Sequence, residues 1–228
     1  MQRTKDNYHV KIYRKFLFEF KKQFASEYTR WVYVYLKLIN NYKIQHKMND
    51  CYAIDATEIA SFFNINRATV YECLKDLDRF LLLSRKGKNK YLLESEETLM
   101  NLFYEANNLE GVLKEEKFVP IHKNLFIDFF NNGCGVREAE VYYYLISQNK
   151  HYVIKDPFLE VNVKNNKICS DLKTDHRTLK RIISKLLNAG RLIKDENHKL
   201  RTKSPRPGFE NCIYKPLEVK KENIMLEQ

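Results

Sequence analysis

A chain of 228 residues and 27.4 kDa with 44% hydrophobic residues can form one large domain or two modest ones with separate cores, which excludes disorder as the default. Forty Lys and Arg against 29 Asp and Glu give a net charge of +11 and a pI near 9.3, a balance that makes nucleic acid the first partner to test. No stretch approaches the roughly 18 uncharged apolar residues of a membrane span, and the opening MQRTKDNYHV has no signal-peptide apolar stretch, so a cytoplasmic protein without a membrane partner is expected. Five scattered cysteines (Cys51, Cys73, Cys134, Cys169 and Cys212) form no C-x-x-C pair and have no histidine at metal-ligand spacing. They read as small core residues with no metal. Six glycines and five prolines imply high helix content. The excess of Lys, Asn, Ile and Tyr fits a bacterial, AT-rich coding sequence.

One offset of 109 residues aligns two halves of the chain without a gap from about Val10 to Leu93. It places Val10 and Ile12 on Val119 and Ile121, Phe20 on Phe129, Tyr35 and Leu36 on Tyr144 and Leu145, and Thr69 and Leu77 on Thr178 and Leu186. In each copy a β-patterned opening, HVKI or FVPI, leads through an amphipathic helix into a Tyr-rich helix. Strands are expected next at CYAI and FLEVNV. The tyrosines of these helices, with Phe16, Phe18 and Phe20, are assigned mainly to packing.

Asp55, three residues before Glu58, has capping-box spacing for a short helix over about 57–63. Asn64-Ile65-Asn66 breaks it, and Asn66 caps a second helix with Val70, Leu74 and Leu77 on one stripe. Two strands then flank a basic tip, Arg85 to Lys90. In the second copy Asp175 takes the cap position, Leu179, Ile182, Ile183 and Leu186 make the stripe, and Gly190 suits a left-handed C-cap. Its hairpin is expected from strands Arg191–Lys194 and Lys199–Thr202. The segments FNINRATVYECLKDLDRFLLL and LKTDHRTLKRIISKLLNAGRLI resemble the winged helix-turn-helix. The expected fold is therefore mainly α with small β wings (α+β): two tandem winged helix-turn-helix domains related by an internal repeat. Their bounds are 1–93 and 117–206, with an acidic helical connector at 94–116 and a tail at 207–228. The connector carries seven glutamates against Lys114 and a stripe of Leu99, Leu102, Phe103 and Ala106. It reads as a solvated link docked on its own domains, or as a dimerisation helix.

Positive charge concentrates in the second copy. Residues 173–206 hold eleven Lys and Arg against three acids, a net +8, while 66–90 hold seven against three, a net +4. The resemblance puts the start of each second helix in the major groove, with Arg67, Ala68, Thr69 and Glu72, and His176, Arg177, Thr178 and Arg181, at base edges. Arginine pairs with guanine, and Thr or Ala touches a thymine methyl. Lys75, Arg85, Lys86, Lys88, Lys90, Lys180, Lys185, Lys194, Lys199 and Arg201 are then phosphate contacts. No phosphate-loop, dinucleotide-binding, zinc-protease or serine-hydrolase motif occurs, and no His-x-His pair of the rolling-circle nickase type, so a non-enzyme without a cofactor is expected.

Tandem winged helices resemble the replication initiators of iteron plasmids and related mobile elements, and VKIYRKFLF and VPIHKNLFI are similar to the winged-helix opening in Gram-positive plasmid initiators. The resemblance implies sequence-specific binding of double-stranded DNA, with a second copy of the chain and replication or conjugation proteins as further partners. The alternatives are a transcriptional regulator or conjugation accessory protein at an operator or transfer origin, and a protein-interaction module in a replication or defence assembly.

Overall fold

The computed structural model describes residues 9–44, 52–87, 90–106, 117–148, 161–194 and 213–216. Their fold is mainly helical with small antiparallel sheets. The chain divides into two compact units, Met1–Val136 and Arg137–Gln228.

The first unit opens with strand β1 (His9–Tyr13) and helix α1 (Arg14–Phe18), then reaches α2 (Thr29–Ile44). Trp31 to Leu36 and Leu38 are all buried, so this is a central helix, apolar around most of its circumference. Its tyrosines tolerate burial because their hydroxyls find partners. Tyr33 donates to Glu96 (2.6 Å) and Tyr35 to Glu58 (2.8 Å).

Helix α3 (Ala56–Phe63) starts where the Asp55 carboxylate accepts the Thr57 and Glu58 amides. Glu58 gives its carboxylate to Tyr35, so the helix start is tied to the core through α2. Asn64 turns the chain at φ 52°, in the left-handed region that Asn tolerates. Helix α4 (Arg67–Arg79) follows, capped by Asn66 on the Thr69 amide at 2.7 Å. Val70, Cys73, Leu74 and Leu77 form its buried face, and buried Asp76 accepts the Ala25 amide and the Thr29 hydroxyl ahead of and at the start of α2.

Strands β2 (Tyr52–Ala53), β3 (Leu83–Gly87) and β4 (Lys90–Leu93) make an antiparallel sheet in the order β2-β4-β3. Helix α5 (Glu96–Ala106) buries Leu99 and Met100. Glu96 is only 1% exposed and receives Tyr33 and Lys37 (2.5 Å), so this acid of the expected connector is buried and paired instead of solvated.

Strand β5 (Phe118–His122) and helix α6 (Lys123–Asn131) open the second copy in sequence, yet both belong to the first unit. β5 pairs antiparallel with β1, matching Val10 to Ile121 and Ile12 to Val119 on the buried side. Lys11 faces Pro120, so this ladder is centred on a single repeat position. Tyr13 and Phe118 meet at one end (centroids 4.4 Å) and His9 and His122 at the other (5.2 Å). Behind it Phe126 and Phe130 join Trp31, Phe62 and Phe63 in one aromatic cluster.

The second unit contains α7 (Val136–Ser147, its first residue at the boundary), β6 (Val161–Asn162), α8 (Asn165–Leu172), α9 (His176–Asn188), β7 (Leu192–Lys194) and β8 (Ile213–Pro216). Both helices α8 and α9 start and end 109 residues after α3 and α4, and Lys173 (φ 49°) takes the left-handed position of Asn64. Tyr144 donates to Asp171 at 2.5 Å, anchoring α7 to α8 as Tyr35 anchors α2 to α3. The sheet order is β6-β8-β7. The partner of β7 is β8, within the stretch expected as tail; the expected strand Lys199–Thr202 lies outside the described residues. Cys73, Cys134 and Cys169 are buried, as expected of core residues; Cys51 and Cys212 lie outside the description.

Leu81 and Gly190 occupy matching left-handed positions, at φ 57° and 64°. Each closes the end of its helix by the same pair of bonds, Leu81 N–H to Asp78 and Leu82 N–H to Leu77, Gly190 N–H to Leu187 and Arg191 N–H to Leu186. Leu81 is 54% exposed, so its side chain gains little packing to offset the backbone strain. Leu81→Gly is expected to stabilise the first unit by about 0.5–1 kcal/mol, read as a raised denaturant midpoint. A lowered midpoint would mean that the leucine makes contacts worth more than the strain.

Candidate nucleic-acid interface

The two helices with the matched caps present comparable faces built from different chemistry. On α4, Arg67, Ala68, Glu72 and Lys75 are exposed and Thr69 is half-buried, its hydroxyl bonded to Asn66 at 3.0 Å. On α9, His176, Arg177, Lys180, Arg181 and Lys185 are exposed and Thr178 is half-buried. Neither helix has an acidic residue in its first turn; α4 is capped by the neutral Asn66, whereas the Asp175 carboxylate at the cap of α9 offsets part of the positive charge of its N-terminal amides. The amphipathic period produces this arrangement. Once Leu179, Ile182, Ile183 and Leu186 face the core, the residues between them must face solvent.

In the first copy Arg85 and Lys86 are exposed on β3. Lys88, Lys199 and Arg201 lie outside the described residues, and Lys90 and Lys194 are placed in β4 and β7 by their backbone alone. Among the described residues, two of the cations between 173 and 206 behave differently from free surface charge. Arg191 is buried at 8% exposure, and Lys185 lies 3.4 Å from Glu138 on α7. That ion pair occupies the repeat positions at which the first copy has Asp76 and Thr29, so one inter-helix tie is made with opposite chemistry in the two copies. Lys185 therefore has its charge partly answered within the protein, which weakens it as a phosphate contact.

The chain matches no family model, no curated protein and no solved structure with which it was compared. Its chemistry is read from its own side chains. Among the described residues no group of three or more His, Cys, Asp or Glu could hold a metal ion, and no helix is long and apolar enough to cross a membrane.

One residue of this face was missed at the level of sequence. Tyr71 is 53% exposed on α4, and Arg67 Nη2 donates to its hydroxyl at 3.2 Å. The available signal was position: Tyr71 lies off the Val70, Leu74, Leu77 stripe and four residues after Arg67, the spacing of helix-surface neighbours.

The cap residues carry a pH signature. The Thr178 side chain and amide hold the Asp175 carboxyl below its ordinary value, whereas the equivalent Asn66 has nothing to titrate. A depressed carboxyl stabilises the fold above its unfolded pKa of about 3.9, and that contribution disappears as pH falls through the folded value. Asp175→Asn is expected to keep the neutral-pH melting temperature, because Asn also caps, and to flatten the acid limb of thermal melts recorded against pH. An acid limb as steep as that of the parent would assign the acid sensitivity elsewhere.

Proposed function

We propose that the chain binds double-stranded DNA through two tandem winged helix-turn-helix domains and serves as a replication initiator of a plasmid or mobile element. The observation that carries the DNA reading is the N-terminal half of α9, where Arg177, Lys180 and Arg181 are all exposed on one face of the helix. Support comes from the framing of that helix. A short helix and a left-handed turn precede it and a small sheet follows, and the same sequence of elements frames α4. In a winged helix this arrangement offers the second helix to a major groove and the wing to flanking backbone. Guanine edges suit the arginines, and phosphates suit Lys180 and the wing cations.

The initiator role rests on two such copies in one chain and on the resemblance of the VKIYRKFLF and VPIHKNLFI segments. In vitro selection from a random duplex library, at moderate and raised salt, tests the reading, because salt strips non-specific phosphate binding before base readout. A two-part motif is expected. Its occurrence in a repeat array supports an initiator, while a promoter location favours a regulator. Binding that fades with salt and enriches nothing overturns base readout and turns the search to protein partners.

A further inference from the structure

From the geometry of α4 we infer that Tyr71 is a positioning residue that holds the Arg67 guanidinium ready for one guanine of the DNA site. This rests on the DNA reading above and adds to it a specificity determinant. Arginine is long and rotamer-rich, so an exposed one ordinarily loses side-chain freedom when it engages a base. Here the guanidinium carbon sits 6.0 Å from the Tyr71 ring centroid while Nη2 donates to the hydroxyl at 3.2 Å. Ring and hydroxyl together restrain the arginine before DNA arrives, and the hydrogen bond to the hydroxyl raises the guanidinium pKa.

The hydrogen bond uses one donor of the fork and leaves the others for the O6 and N7 acceptors of guanine. The Tyr71 hydroxyl accepts from Arg67 and keeps its own proton to donate to an adjoining phosphate oxygen. An aromatic residue more than half exposed, off the buried face of Val70, Cys73, Leu74, Asp76 and Leu77, has no packing role to explain it. The second copy lacks the device: His176 and Lys180 occupy the matching positions, both exposed. The two halves of the DNA site are consequently read by different chemistry and are not copies of one another.

The test repeats the duplex selection with the full-length parent, Tyr71→Phe, Tyr71→Ala and Arg67→Lys, alongside salt titrations of the parent's selected site. Tyr71→Ala is expected to lower affinity for that site about tenfold, within the range of one good guanine contact, and to flatten a single guanine position. Its salt slope stays that of the parent, since no cation is lost. Tyr71→Phe keeps the ring and falls between the two. Arg67→Lys keeps the slope and loses the same guanine preference. A Tyr71→Ala motif that retains every position, or an affinity lost equally for all sequences, overturns the inference while leaving the DNA reading standing. Failure of the parent itself to enrich any motif overturns both.

Discussion

Replacing Arg177 and Arg181 together with alanine is expected to weaken duplex binding by about 2–5 kcal/mol, roughly thirty- to several-thousandfold, with little change in stability. Both side chains are exposed and lie one turn apart, outside the buried stripe of Leu179, Ile182, Ile183 and Leu186, so the helix keeps every contact that holds it. As base readers the two arginines are expected to change specificity more than salt dependence; each one that neutralises a phosphate instead would lower the slope of log affinity against log salt by about 0.9. Arg67→Ala, on the copy with half the local net charge, is expected to cost less. The measurement is a fluorescence-anisotropy titration on the selected duplex over a series of salt concentrations. Unchanged binding by the double variant would move the cation-rich face of α9 to an acidic protein partner.

Phe126→Ala is expected to destabilise the first unit by about 3–5 kcal/mol, a large part of the roughly 5–15 kcal/mol that holds a typical domain folded. The ring is fully buried, with centroids 4.9 Å from Phe130, 6.0 Å from Phe62 and 6.4 Å from Trp31. Its loss leaves a cavity among rigid rings that cannot collapse around it. Trp31 is the sole tryptophan in the chain, so its fluorescence during denaturant unfolding reports this unit alone. Phe126→Leu, which keeps most of the volume, is expected to cost a third as much or less. By sequence Phe126 lies nine residues into the second copy, within the expected 117–206 domain. A Trp31 transition indifferent to Phe126→Ala would show that β5 and α6 contribute nothing to the core of the first unit.

What the sequence determined by itself was everything set by near neighbours. Caps at Asn66 and Asp175, the stripes of α4 and α9, the left-handed Gly190 and the short strands at β2 and β6 depend on residues within a turn or a strand of one another, and each was legible. The 109-residue repeat was legible too, because the same local signals recur in the same order. The cation-rich face of α9 followed from its period, while the Arg67–Tyr71 contact needed the actual rotamers.

Only the tertiary structure decided which distant segments meet. Alternation in HVKI and FVPI specifies one buried face and leaves the partner strand open, so the pairing of β1 with β5 could not be read from either. The pairing of β7 with Ile213–Pro216, in the stretch expected as a tail, has no local signal either, because loop-closure entropy grows only with the logarithm of length and hardly penalises the longer connection. Glu96 likewise looked like one more solvated acid until Tyr33 and Lys37, some sixty residues earlier, proved to be its partners. Partner choice of this kind is a competition among long-range contacts, settled by which arrangement buries the apolar faces of all elements at once.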